Sequence, residues 1–339
     1  MATGRLEMIK EWLARGVIIL GMVIVISIPA LNRREGPQRI VMHARMAETG
    51  GWTPENLTVA VGEPLNLQLT SDDVTHGFAV GQLNQPAVDI NPGEMTDVSL
   101  MFTKPGKYTF YCTRWCSVNH WRMRGTIEVT DPSAKTELAK PPLYVALGLD
   151  IDADRIAGTT PSEIPSVWRG ALLNRALPDE FKSLEYYRSH TPIDLWLALR
   201  SETAFTDLSN QEVWDLAAWA WLSNTSPGEV QAGRELFSAN CAACHGEGGA
   251  GNGVFADMLS AGEANIASNP SPGEHTQRPA NFTDPVRMLS ASPALLQGKI
   301  IRGGMGTGMP SWGAIFTDDQ TWALIAYLWT FQFNSEVLP

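Results

Sequence analysis

Every cysteine of the chain falls in one of two short stretches, and both stretches also hold a histidine. Cys112, Cys116, Cys241 and Cys244 are the only four in 339 residues. The first stretch runs Tyr111-Cys112-Thr113-Arg114-Trp115-Cys116-Ser117-Val118-Asn119-His120-Trp121-Arg122-Met123, a C-x3-C-x3-H-x2-M pattern. A second histidine, His76, lies upstream in Val74-Thr75-His76-Gly77-Phe78. Thiolates, imidazoles and a thioether are soft donors that favour copper over magnesium or calcium. A mononuclear blue-copper site uses one cysteine, two histidines and a weak methionine. With two cysteines, the thiolates can bridge two coppers, each capped by a histidine, and one unpaired electron then spreads over both metals. Zinc competes, because two cysteines and two histidines close a tetrahedral site, although Met123 then has no role. The plainest alternative is a Cys112–Cys116 disulfide.

The second stretch, Cys241-Ala242-Ala243-Cys244-His245, is the C-x-x-C-H arrangement of c-type haem attachment. Both thiols add to vinyl groups and the histidine takes the proximal iron position. The sixth ligand is expected to be a methionine between this motif and the last helix, and Met305 and Met309 both qualify by type. A thioether there raises the potential relative to bis-histidine ligation. His275 is the remaining alternative, better read as a surface-loop histidine; His43 and His190 read as structural or exposed. Disulfide-stapled secreted domains usually spread their cysteines further apart, so all four thiols are expected to serve cofactors.

The surrounding sequence must position these groups. A length of 339 residues suggests two or three domains, and 44% hydrophobic residues suits globular cores. The net charge of −11 argues against nucleic acid as a partner, since phosphate neutralisation needs basic patches. Residues 16–31, GVIILGMVIVISIPAL, form an uncharged apolar run. Extended back through Trp12, with Arg15 snorkelling, it approaches the ~20 residues of a spanning helix. Basic residues flank it on both sides, so charge alone does not orient it. An uncleaved anchor is expected; a cleaved signal peptide is the alternative, and the cleavage site near Ile28-Pro29-Ala30 is poor.

From about residue 40 to 130, short β-rich runs alternate with Gly, Pro and Asp turns. Strands are expected at Leu57–Val61, Leu65–Leu69, Val98–Phe102, Tyr108–Tyr111 and Thr126–Val129, as in a β-sandwich or barrel. After Asp131-Pro132 helical spacing takes over, at Leu195–Leu199, Val213–Leu222, Glu229–Ala239, Pro293–Ile301 and Asp318–Thr330. A weak internal repeat links the last two regions. Thr191-Pro192-x-x-Leu195-x-x-x-Leu199 echoes Ser292-Pro293-x-x-Leu296-x-x-x-Ile300 at an offset of 101, and Trp214-x-Leu216-x-Ala218-Trp219-x-Trp221 echoes Trp322-x-Leu324-x-Ala326-Tyr327-x-Trp329 at 108. The earlier copy has no cysteine. The expected organisation is a membrane anchor over 1–35, a β domain over 36–131, a helical spacer over 132–224 that reads as a decayed haem-less copy, and a haem domain over 225–335. A generic pair of amphipathic helices is the alternative for the spacer.

Residues 56–130 resemble the cupredoxin-fold CuA domain of subunit II of haem-copper oxidases. The likeness rests on His76-Gly77-Phe78, on Lys104-Pro105-Gly106-Lys107-Tyr108, and on the C-x3-C-x3-H-x2-M loop ending at Gly125-Thr126-Ile127. It implies two copper ions held by the side chains of His76, Cys112, Cys116, His120 and Met123, with Arg114 giving its backbone carbonyl. Three features depart from the mitochondrial type. Arg114 replaces a glutamate that helps hold magnesium, so no magnesium site is assumed. Trp52 is the one aromatic before the copper domain where electrons would enter, alongside Trp115 and Trp121 in the loop. A single span replaces the usual two, which resembles the B-type oxidases. Residues 228–332 resemble class I cytochromes c. There Gly233 and Phe237 would pack on Tyr327 and Trp329, and Met309, followed by Pro310 and Trp312, fits the family's methionine loop.

These resemblances imply a multidomain fold: one transmembrane helix, an all-β cupredoxin-like domain and an all-α cytochrome c domain. The implied function is electron transfer from a donor, cytochrome c or similar, through one covalent haem c and CuA to a membrane-embedded catalytic subunit I that reduces oxygen to water. No oxygen-reducing centre lies in this chain. Two alternatives stay open: the electron-entry subunit of a CuA-type nitric-oxide reductase, and a free-standing anchored carrier. The implied location is a bacterial-type inner membrane, with the amino terminus cytoplasmic and the cofactor domains on the periplasmic face, because c-type haem is normally attached outside the cytoplasm.

Overall fold

The computed structural model describes residues 12, 15–22, 39–83, 85–117, 119–133, 140–257, 278–304 and 308–335. Nine strands form the first unit: β1 (Arg39–Ala44), β2 (Trp52–Thr53), β3 (Asn56–Ala60), β4 (Pro64–Ser71), β5 (His76–Val80), β6 (Val88–Ile90), β7 (Thr96–Met101), β8 (Gly106–Tyr111) and β9 (Arg124–Thr130). They make a four-stranded sheet, β2-β1-β4-β7, and a five-stranded sheet, β3-β9-β8-β5-β6. Side chains alternate across each strand. Leu65, Leu67 and Leu69 of β4 therefore point inward, to a core shared with Phe78, Phe110 and Ile127. This is the expected cupredoxin-like sandwich, and the five expected strands coincide with β3, β4, β7, β8 and β9.

His76 opens β5, where Ala79 and Val80 pair with Tyr111 and Phe110 of β8. A His-Gly-Phe start carries little strand propensity, and burial against the opposite sheet decides it. The C-x3-C-x3-H-x2-M segment is the connection between β8 and β9. The ladder pairs Tyr111 with Arg124, and the Cys112 N–H donates to the Met123 carbonyl at 3.0 Å, so the loop is pinched shut at its base.

Among the described residues ten helices follow: α1 (Leu143–Ala146), α2 (Val167–Leu172), α3 (Leu184–Ser189), α4 (Pro192–Ser201), α5 (Asn210–Leu222), α6 (Pro227–Asn240), α7 (Ala242–His245), α8 (Pro285–Met288), α9 (Pro293–Arg302) and α10 (Asp318–Leu328). Capping boxes start α4, α5, α6 and α10, each with a Ser or Thr hydroxyl accepting from the N3 backbone while the N3 side chain reaches back. α6 crosses α10 at Gly233, where a Cβ would meet the backbone of Ala323 and the Tyr327 Cβ. α2 crosses α5 at Gly170 in the same manner, against the backbone of Asp215 and the Trp219 Cβ. Asp215 and Ala323 are 108 positions apart, as are Trp219 and Tyr327. Trp221 and Trp329, also separated by 108, touch each other edge to face at 5.5 Å in one continuous core.

Within the apolar run 16–31, residues 16–22 are described; they are helical and expose Val17, Ile18, Ile19, Leu20 and Met22. Residues 23–31 lie outside the described residues. Among the described residues no helix is long and apolar enough to cross a membrane.

Candidate copper and haem centres

The pinched β8–β9 loop gathers the soft donors at one end of the sandwich. The Sγ atoms of Cys112 and Cys116 lie 3.8 Å apart, far beyond a disulfide bond of about 2.05 Å. His76 brings Nδ1 to 3.9 Å from Cys112 Sγ, the Arg114 carbonyl oxygen sits 3.3 Å from the same sulfur, and Met123 Sδ lies 3.3 Å from Cys116 Sγ. His76, Cys112 and Cys116 alone place three metal-ligand atoms within 4.8 Å of one another. His120 Nδ1 is buried with no hydrogen-bond partner, although buried polar atoms are rarely left unpaired. An orphaned imidazole nitrogen beside two thiols and a thioether is what a soft metal would satisfy, so the residues present fit copper.

Electrostatics agree. Hydrogen bonding from Cys116 pulls the Cys112 thiol well below the usual range; burial opposes this, and contacts to His120, His76 and the Gly77 N–H add to it. Cys116 is pushed up by its neighbour and by burial. Two thiolates this close repel, so the pair ionises fully only beside a cation. Burial works against charging His76, but the Cys112 sulfur and the Asp73 carboxylate prevail and raise its pKa.

Two supporting residues, Asp73 and Asp89, were not found from the sequence. Asp73 Oδ1 lies 2.6 Å from His76 Nε2, which fixes the ring and leaves Nδ1 facing the sulfur. An Asp three residues before a candidate ligand was the available signal. Asp89 grips the Arg114 guanidinium through two bonds of 2.8 and 2.7 Å, which holds that side chain away while its carbonyl faces Cys112. Gly77 passes so close to Thr113 and Arg114 that a Cβ would collide with the loop. Trp52, the aromatic expected at an electron entry, is instead buried at 3% exposure, edge to face with Phe78 and Phe110. Its indole N–H donates to the Met123 carbonyl. Its bulk fills the core beneath the loop and does not reach the surface.

In the helical unit, α7 carries the C-x-x-C-H turn. Cys241 and Cys244 are both free thiols, and burial pushes Cys241 up to about 12. His245 is buried and pairs Nδ1 with the Ala280 carbonyl at 3.0 Å, which directs Nε2 away as a ligand atom. Burial lowers its pKa, favouring the neutral imidazole a metal needs. Phe282 stacks on the His245 ring at 4.7 Å, and Phe237, Tyr327 and Phe331 continue the aromatic wall. Gly249, at φ +69°, packs so near the Phe331 ring that no side chain would fit. Met309 is half-buried against this core, and its carbonyl accepts from the Gly304 N–H at 3.1 Å. Met305 and His275 lie outside the described residues. His43 bonds Asp72, and His190 stacks on Tyr186, so neither joins a centre. These residues fit a c-type haem.

Residues 43–130 match the family cytochrome c oxidase subunit II, periplasmic domain, and residues 230–332 match cytochrome c. Cytochrome c oxidase subunit 2 of Thermus thermophilus is 34% identical over 96 residues, which are 28% of this chain and 70% of that protein. The chain belongs to the cytochrome c oxidase subunit II family. A second Thermus thermophilus subunit 2, also 34% identical, is matched over 56% of its length. The nitrous-oxide reductase of Cupriavidus necator is 37% identical over 67 residues, 19% of this chain and 10% of that protein. As a subunit II fused to a cytochrome c domain, the chain is an electron-transfer component of an oxidoreductase complex that binds CuA copper and haem.

Proposed function

We propose that this chain is the electron-transfer subunit II of a haem-copper terminal oxidase, receiving electrons from a donor at haem c and passing them through CuA to a catalytic subunit I that reduces oxygen to water. The observation that carries this reading is the donor cluster, two thiols 3.8 Å apart beside an orphaned His120 Nδ1, in a chain that also holds a C-x-x-C-H turn. His76, Cys112, Cys116, His120 and Met123, with the Arg114 carbonyl, would hold two copper ions. Cys241 and Cys244 would attach the haem covalently, and His245 and Met309 would hold its iron. When bound, both groups supply reversible one-electron chemistry. The protein supplies orientation and exclusion of water: Asp73 holds His76, Ala280 holds His245, and both sites are backed by apolar cores.

The chain is read as non-catalytic by itself, anchored by one amino-terminal span with the cofactor domains on the periplasmic face and a donor such as cytochrome c outside. Purification of the complex tests this. A co-purifying large subunit that consumes oxygen, with two copper atoms and one acid-resistant haem per subunit II, is expected. Consumption of nitric oxide, or the absence of a large subunit, transfers the assignment to the reductase or free-carrier reading.

We also infer that the spacer, residues 132–224, is a haem-less copy of the cytochrome domain. The support is the matched crossings at Gly170 and Gly233 and the pairing of Trp221 with Trp329. It serves as a packing partner for the haem domain, in the manner of an isologous dimer interface.

A further inference from the structure

The copper loop and the haem domain touch. Trp115, between the two copper-loop cysteines, stacks on Phe255 with ring centroids 3.6 Å apart and planes at 17°. Trp115 also packs against the His120 ring, with centroids 4.0 Å apart. Phe255 is tied to the haem-attachment turn, because its backbone N–H donates to the Ala243 carbonyl at 3.0 Å. Around this stack the domains are locked in register. The Gln82 N–H donates to the Ile315 carbonyl at 2.9 Å, and Arg124 Nη1 donates to the Ser311 carbonyl at 2.7 Å. A Cβ on Gly81 would sit 2.7 Å from the Ala314 oxygen, so at this point only glycine lets the two backbones approach. Cys112, His120 and Met123 share one narrow cleft with Ala239, Asn240 and Trp312 of the cytochrome unit.

We propose that the Trp115–Phe255 stack is the electron bridge from the haem-attachment turn to the copper loop, and that this docked face admits electrons from the chain's own haem domain in place of an external carrier. The proposal rests on the cofactor assignments above. Trp52, buried in the core, offers no competing surface entry. With both groups bound, one electron would cross, the haem iron giving it up and the copper pair taking it. No bond forms or breaks, and neither ring changes oxidation state. Holding donor and acceptor in one chain makes the encounter intramolecular, and two rings in van der Waals contact remove the gap that an apolar void would leave.

The test uses the full-length holoprotein. After rapid photoreduction of the haem, Phe255→Leu and Trp115→Leu should each slow electron arrival at CuA by about tenfold or more, the scale on which lost positioning acts. Both absorption spectra and both midpoint potentials should stay at wild-type values. A readout independent of turnover comes from the fully reduced, diamagnetic protein: the Trp115 indole resonances should carry a ring-current contribution from Phe255, beyond that of the neighbouring His120 ring, that Phe255→Leu removes. Gly81→Val, a wedge at the domain contact, should remove the same contribution. Phe255 is not a proposed ligand, so its variant decides the matter even where Trp115→Leu disturbs copper loading. Unchanged transfer rates in Phe255→Leu, or no ring-current contribution from Phe255 in the wild type, overturn the bridge. A wild-type protein lacking CuA or c-haem absorption instead overturns the cofactor assignments, a separate failure.

Discussion

The α2–α5 pair and the α6–α10 pair meet at the same kind of glycine contact, yet the chain between the crossing points differs. Ninety positions separate Gly233 from Ala323, and 45 separate Gly170 from Asp215. The longer stretch holds the Cys241–His245 turn and, directly after it, Gly246, Gly249 and Gly251 at positive φ. These let the backbone fold tightly beside a flat group. The shorter one has no cysteine and is packed with aromatic side chains, including the Trp196–Trp214 stack at 5.5 Å and Tyr187, which reaches Trp221 of α5. At the position corresponding to Ala323, Asp215 is buried and held by Arg169 through bonds of 2.6 and 2.9 Å. A helix crossing needs only close packing, and it persists without a cofactor. A haem site needs a long loop whose conformation the crossing alone does not specify.

That contrast is open to direct attack. The largest expected effect is from His245→Ala. It should eliminate the low-spin haem spectrum and lower the melting temperature of the haem unit, while CuA absorption survives; a retained low-spin spectrum would remove His245 from its role. Next, Trp329→Ala and Trp221→Ala each delete a fully buried indole and should cost about 3–5 kcal/mol in chemical denaturation. Because the two rings touch, the double variant should cost measurably less than the sum of the singles; strict additivity would show that the two halves do not share a core. Smaller again, Gly233→Leu and Gly170→Leu force side chains into backbone and should each destabilise by about 1–3 kcal/mol. The loss on haem binding should appear only for Gly233→Leu, read from the Soret band.

The smallest effect concerns the ion pair linking the spacer to α9. Hydrogen bonds from Arg302 and then Lys299 hold the Asp152 carboxyl below its ordinary value near 3.8. A depressed carboxylate contributes stability that is fully present above the unfolded value and is lost as pH falls through the folded one. Asp152 is 58% exposed, so Asp152→Asn should cost no more than about 1 kcal/mol at neutral pH. The difference between variant and wild type should be full above pH 3.8, shrink progressively as pH falls below it, and disappear only below the lowered folded value; a cost that does not shrink with acid would assign the effect to packing.

Local pattern made much of this molecule readable in advance. The expected strands at 57–61, 65–69 and 126–129 alternate clearly, and residues 318–330 carry an apolar stripe under a Thr317 cap, so period and cap chemistry sufficed. β5 and β6 were missed because His76–Val80 and Val88–Ile90 are short and mixed; they pair with each other, and β5 is joined to the sheet by β8, which lies further along the chain. Asp73, Asp89 and Ala280 were missed for the same reason: each supports a site residue by proximity in space. Trp52 was misread as an entry point because the identity of a residue says nothing about which face it occupies.

By itself, the sequence determined the donor sets. C-x3-C-x3-H-x2-M and C-x-x-C-H are local arrays whose spacing already restricts the metal chemistry open to them. Tertiary structure decided what those arrays face. It carried His76 across 36 residues to Cys112, turned the Arg114 side chain outward onto Asp89, and seated Trp115 on Phe255. Such contacts join residues far apart along the chain. They exist only because burying apolar surface outweighs the entropy of closing the loops between them.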